Sequence, residues 1–96
     1  MFFKSKAQKK VEELVDHLEL LAQSSSEDIR PVLLNYIAEA RSDIDYLEWG
    51  MAMETLLERI YEINFRLDSK AIELTKAAVA ECHMDYSRLS FIEELM

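Results

Sequence analysis

The sequence predicts an all-α fold, a small antiparallel bundle of four to five helices, and three observations carry that prediction. Gly50 and Pro31 are the only glycine and proline, so the chain lacks the residues that tight turns and β-hairpins use. The strong helix formers Leu, Ala, Glu, Met and Lys are abundant. Apolar residues recur at three- and four-residue spacing, the period of one helix face. The chain has 96 residues, half of them hydrophobic. That is the size of one domain, residues 1–96, and too apolar a chain to stay disordered. A core of this size stabilises by only about 5–15 kcal/mol, so a partner or a second copy in a homodimer would add appreciably.

The first helix is predicted over Lys6–Gln23, where Val11, Leu14, Val15, Leu18, Leu21 and Ala22 form one apolar stripe. Glu12, Glu13, Asp16 and Glu19 occupy its other side. Ser24-Ser25-Ser26 breaks the periodicity and reads as a loop. Ser25 or Ser26, followed by Glu27 and Asp28, supplies an N-cap with acids in the first turn of a second helix. Proline is tolerated only near a helix start, so that helix begins shortly before Pro31. It carries Leu33, Leu34, Ile37 and Ala40 and is expected to end near Arg41. Ser42-Asp43-Ile44-Asp45 matches a loose capping box, which predicts a separate helical turn through Tyr46 and Leu47 before Gly50.

A third helix, Met51–Asn64, has a wide apolar face of Met53, Leu56, Leu57, Ile60, Tyr61 and Ile63 with Ala52 alongside, and is therefore central. Its polar ridge is Glu54, Glu58 and Glu62, carboxylates four residues apart on one face. Arg59 is the cation placed to offset their repulsion; otherwise the ridge reads as an ordinary solvated face. Phe65–Ser69 forms a connection. A helix of about four turns follows, carrying Ile72, Leu74, Thr75, Ala78, Val79 and Cys82, and ends near Met84. A last short helix over Ser87–Leu95 presents Leu89, Phe91, Ile92 and Leu95, with Ser90-Phe91-Ile92-Glu93 as a capping box. No internal repeat is present.

Charge is the most informative bulk property. The net charge is −8, but Lys4, Lys6, Lys9 and Lys10 stand in the first ten residues without an acid. Residues 11–96 therefore hold seven basic and nineteen acidic residues, a balance of −12. Phosphate neutralisation needs clustered Lys and Arg, so direct nucleic-acid binding is not expected. A field of this sign serves solubility, and it also steers and complements a basic partner, such as an enzyme that acts on nucleic acids.

Catalytic residues, cofactor-binding residues and metal ligands are not expected. His17 and His83 belong to no ligand pair of the kind helical metal sites use. Glu13 and His17 share a face and read as an ordinary surface pair. Cys82 adjoins His83, but helix neighbours point about 100° apart, and Cys82 falls on the apolar stripe, where it reads as a buried structural thiol. The carboxylates form a surface ridge rather than a pair held across a cleft in different environments, as acid–base catalysis requires. A single glycine excludes a glycine-rich phosphate loop. One cysteine, no signal-peptide pattern and no apolar run of about 18 residues point to a cytoplasmic protein, neither anchored nor targeted.

Trp49 stands beside Gly50 among Asp43, Asp45, Glu48 and Glu54. Tryptophan is favoured both at binding interfaces and as packing over a helix junction, and both roles are open to Trp49. The run Glu48-Trp49-Gly50-Met51-Ala52-Met53-Glu54-Thr55-Leu56, then Tyr61-Glu62-Ile63, then an alanine-rich helix closing on His83-Met84-Asp85, resembles the MafI-type immunity proteins. The family pattern has an acidic residue, an aromatic, Gly, an apolar residue, Ala, an apolar residue, Glu and Leu. Thr55 is interposed here, and the likeness covers roughly residues 40–85. It implies a small helical bacterial protein that neutralises the C-terminal toxic domain of a secreted or contact-delivered toxin, commonly a nuclease such as an EndoU-type RNase. By position it carries over Glu48, Trp49, Gly50, Glu54 and Glu62. Asp43, Asp45, Glu48, Trp49, Glu54, Glu58 and Glu62 form the partner-binding surface expected from this and from the charge. The alternatives are a helical adaptor or regulatory subunit with another basic partner, which would be anchored by a broad exposed apolar patch where the immunity reading expects a mostly charged interface and steered association, and a homo-oligomeric structural module.

Overall fold

The computed structural model describes residues 4–96 and shows an all-α bundle. Four helices, α1 (Lys6–Gln23), α2 (Arg30–Asp45), α3 (Trp49–Glu62) and α4 (Ser69–Glu81), precede two 3-10 segments, Tyr86–Arg88 and Ser90–Leu95. α1 packs between α2 and α4, and α3 packs on α2, so the neighbour order is α4–α1–α2–α3. The 3-10 segments touch α4 and then α3, closing the ring, and the Leu67 N–H donates to the Leu95 carbonyl at 2.9 Å. The extents are 39 × 28 × 18 Å. The shortest is under two helix diameters of about 10–12 Å, so the bundle is two layers thick.

One continuous core joins all elements. α1 contributes Val11, Leu14, Val15, Leu18 and Ala22, the stripe the sequence displays; Ser5 caps this helix by accepting from the Gln8 N–H at 3.0 Å. α3 buries Ala52, Met53, Leu56, Leu57 and Ile60 of its expected apolar face, whereas Tyr61 is exposed and Ile63, the C-cap, is only half-buried. Among the described residues the one fully buried polar side chain is Thr75, which donates its hydroxyl to the Ala71 carbonyl at 2.8 Å; the half-buried Arg30 keeps its Nε without a partner.

Several expected boundaries move. α2 does not stop at Arg41; it continues unbroken through Ser42 to Asp45. The reason is Ile44, 1% exposed, which extends the buried series Leu33, Ile37 and Ala40, so Ser42 is helix interior and opens no capping box. Nor do Ser25 and Ser26 cap α2. Its cap is Ile29, without a side-chain bond, whereas the Ser25 hydroxyl donates back to the Ala22 carbonyl and closes α1. Arg30 then donates to the Ser25 carbonyl at 2.6 Å, locking the loop. The predicted last helix is two 3-10 segments in which Leu89, Ile92 and Leu95 are buried. Their strict spacing of three aligns them on one side of a 3-10 helix, whereas on an α-helix each step would shift them by about 60°. Ser90 caps nothing; its hydroxyl donates to the Ser87 carbonyl at 3.1 Å.

α2, α3 and α4 end alike. Leu47, Asn64 and His83 follow their C-caps with φ of 65°, 54° and 57°. The Glu48, Phe65 and Met84 N–H groups donate to the carbonyls of Asp43 (3.1 Å), Ile60 (3.2 Å) and Val79 (3.0 Å). The Leu47, Asn64 and His83 N–H groups reach Ile44, Tyr61 and Ala80. These are three complete Schellman closures, each built without the glycine that usually occupies the left-handed position.

Candidate functional site

The seven side chains of the expected surface occupy one corner of the fold and one flank of α3. Asp43 and Asp45 lie in the last turn of α2, Glu48 precedes α3, and Trp49 opens it. Asp45 and Glu48 are exposed, and Asp43 is half-buried beside the crevice between α2 and α3. Trp49 packs against the core and is half-buried, so its ring seals the junction and shows only part of its surface. On α3, a four-residue step turns the helix by about 40°, so the ridge rotates along its length. Glu58 and Glu62 face solvent. Glu54 turns toward the C-terminal segment, where Arg88 donates to both carboxylate oxygens at 2.9 and 3.2 Å.

Ion pairing sorts the acids into two sets. Lys4 pairs with Glu12 at 2.9 Å, Lys10 with Glu13 at 3.4 Å, and Arg41 with Asp16 and Glu19 at 3.0 and 3.5 Å. Arg59 does not offset the α3 ridge. It turns the other way, pairs with Glu39 of α2 and lies over the Tyr36 ring, 5.1 Å from its centroid. Asp43, Asp45, Glu48, Glu58 and Glu62 form no ion pair among the described residues. The chain's cations therefore hold acids of α1, of the α1–α2 and α2–α3 seams and Glu54, while the corner and the Glu58–Glu62 face of α3 keep acids without an ion pair. Glu27, Asp28, Glu73, Glu81, Asp85, Glu93 and Glu94 are likewise without an ion pair elsewhere on the described surface.

The structure adds apolar residues to this surface that the sequence did not single out. Tyr46, Leu47 and Met51 are 78%, 69% and 62% exposed, all at the α2–α3 corner. Leu47 follows Ile44 by three and would continue the α2 stripe if the helix ran on; the left-handed turn takes it off that stripe and into solvent. At the far end of α3, Glu58, Tyr61, Glu62 and Phe91 line an open recess of about 290 Å³. The Tyr61 and Phe91 rings meet edge to face at 5.0 Å, and the Tyr61 hydroxyl donates to Glu94 at 3.2 Å, which pushes its pKa up. The neighbouring Tyr86 hydroxyl, partly buried and bonded to Glu93 at 2.8 Å, is pushed up to about 12.

A second recess, about 310 Å³, is lined by Glu13, Asp16, His17, Leu20, Lys70 and Leu74. Here His17 does not pair with Glu13. Its Nε2 stands 2.9 and 3.0 Å from the oxygens of Asp68, in the connection before α4. Asp68 also caps α4, accepting from the Ala71 N–H at 2.8 Å. Partial burial pushes the Asp68 carboxyl up, but the hydrogen bonds from His17 and Ala71 outweigh it and hold it below the usual carboxylate range. A His–Asp pair suggests general-base chemistry. No lining residue carries a hydroxyl or thiol to activate, however, and the carboxylate is committed to a helix cap, so the pair is a clasp between α1 and α4. Cys82 sits at the opposite end of α4, half-buried rather than fully so, with burial and then Glu81 pushing its thiol pKa up, away from the reactive thiolate. Among the described residues no group of three or more His, Cys, Asp or Glu converges as metal ligands would, and no helix is long and apolar enough to cross a membrane.

Compared with protein-family models, with curated proteins and with solved structures, the chain gave no match.

Proposed function

We propose that this chain is a binding protein for a basic macromolecular partner, and specifically an immunity protein that covers the substrate groove of a nuclease toxin. The observation that carries the proposal is that five of the carboxylates without ion pairs, Asp43, Asp45, Glu48, Glu58 and Glu62, lie together along the α2–α3 corner and the outer face of α3. A groove that binds RNA or DNA is lined with Lys and Arg for the phosphates. An acidic helical face occupies such a groove by charge complementarity, steering association and excluding substrate without chemistry of its own. Support for a toxin as the partner comes from the sequence likeness between residues 40 and 85. In this role the protein acts in the cytoplasm of the toxin-producing cell, where an incoming or newly made nuclease would meet its substrate.

The test is co-expression with the C-terminal domain of the protein encoded directly upstream. Growth arrest by that domain and rescue by this chain are the expected results, with a complex whose association slows steeply as salt rises. The double reversal Glu58→Lys and Glu62→Lys should cut the association rate at least about tenfold and flatten its salt dependence. Glu54 is the wrong residue to reverse, because Arg88 already holds it. A metabolic protein as the upstream product, with no arrest and no rescue, would remove the immunity role and leave the adaptor. A complex indifferent to the reversal would remove the α3 face.

A further inference from the structure

We infer that the α2–α3 corner is the apolar anchor of this interface, a knob of Tyr46, Leu47 and Met51 that inserts into an apolar recess rimmed by Lys and Arg on a basic protein. The inference rests on the proposed binding of a basic partner and adds what that binding would grip. Three large apolar side chains at 78%, 69% and 62% exposure within six residues of sequence are not accounted for by the fold. None of them belongs to the buried core. Leu47 is the clearest case. Its φ of 65° is a conformation glycine adopts freely and a γ-branched residue does not, and the Schellman closure of α2 needs only backbone groups there. A leucine at this position strains the backbone and yet stays 69% exposed.

The chemistry around the knob selects its occupant. Asp45 and Glu48 are exposed on either side of Tyr46 and Leu47, and Asp43 lies one helical turn behind, all without a cation among the described residues. An apolar centre framed by charged groups is the anatomy of a binding hot spot, in which the rim excludes water from the buried anchors. A second copy of this chain would bring like charges together, and an anionic membrane surface would repel the same carboxylates. Only a partner with cations around an apolar recess meets both halves of the surface.

Three variants are to be measured against the upstream-encoded toxin domain by surface plasmon resonance and thermal unfolding. Leu47→Gly should unfold at a higher temperature than the parent and yet bind at least about tenfold more weakly, chiefly through faster dissociation. Loss of binding in a stabilised protein cannot be misfolding. The double variant Tyr46→Ala, Met51→Ala should lose at least about thirtyfold. Leu20→Ala, which trims an equally exposed residue on α1 (61%), should stay within twofold. Binding unchanged in Leu47→Gly and in the double variant would overturn the anchor while leaving the acidic interface standing. A parent chain that does not bind the domain at all would overturn both, and a corner-dependent homodimer in sedimentation would overturn the choice of partner.

Discussion

Asp68 shows how one side chain holds two elements. It caps α4 through the Ala71 N–H and clasps α1 through His17, 51 positions away in the chain. Its carboxyl is held below the ordinary value, so the folded state prefers the charged form more strongly than the unfolded chain does. The associated stability is therefore fully present above the ordinary carboxylate pKa of about 3.9 and is lost as pH falls through the depressed one. Asn caps helices as well as Asp but carries no charge. Asp68→Asn should therefore destabilise the protein near neutrality by at most about 1 kcal/mol, half-exposed pairs being well screened. The gap between variant and parent in chemical denaturation should close below about pH 4. Asp68→Ala, which also loses the cap, should be lower by a further ~0.5–2 kcal/mol at every pH. A gap that persisted in acid for Asp68→Asn would show that the His17 contact does not involve the charge.

At the scale of elements, the unusual feature is how helices end in a chain with a single glycine. Leu47, Asn64 and His83 take left-handed positions that in most proteins mark themselves with Gly. Asn tolerates that region, whereas for most residues it costs roughly 1–2 kcal/mol. The one glycine is used elsewhere, in the first turn of α3, at a φ that does not require it. A β-carbon placed there would meet only the Met84 sulfur at 3.5 Å, an ordinary contact. Gly50→Ala should consequently raise stability, by about 0.5–1 kcal/mol, by restricting the unfolded chain and favouring the helix. A thermal melt that moved down instead would mean that α3 needs to flex or bend at its start. Which stretches form the four α-helices was legible in the sequence because apolar spacing reports it directly, whereas the 3-10 form of the C-terminal segment was not. Helix ends were less so: α2 overran its expected stop by following Ile44 into the core, and Ser42 was a capping residue only in isolation.

For the whole molecule, the C-terminal segment decides whether the bundle closes. α3 and α4 are joined through Leu89, Ile92 and Leu95, which are 0%, 0% and 3% exposed. Without them the faces of α3 and α4 that they cover would meet water. Ile92→Ala should cost about 2–5 kcal/mol, as much as a truncation on α1 such as Leu14→Ala, although Ile92 lies in a 3-10 turn four residues from the end of the chain. An Ile92→Ala protein within 1 kcal/mol of the parent in denaturant titration would show that the segment only rests on the bundle. The same closure draws Arg88 onto Glu54 and sets the Tyr61–Phe91 recess beside Glu58 and Glu62. It therefore shapes the proposed binding face as well as the core.

The sequence by itself determined the all-helical class, the buried stripes of α1 and α3, and a body whose acids outnumber its bases after the first ten residues. Each of these follows from composition or from a period shorter than one helix turn pair, and needs no knowledge of what packs where. Tertiary structure alone decided which of those acids remain unpaired. Arg59 and Arg88 each had several carboxylates within reach along the chain, and packing gave Arg59 to Glu39 and Arg88 to Glu54. It also decided that His17 meets Asp68 and that Tyr46, Leu47 and Met51 stand in solvent. Side-chain spacing fixes which face a residue shares within its helix. Which neighbour that face meets, and whether a helix ends one residue before its stripe does, is set by long-range burial.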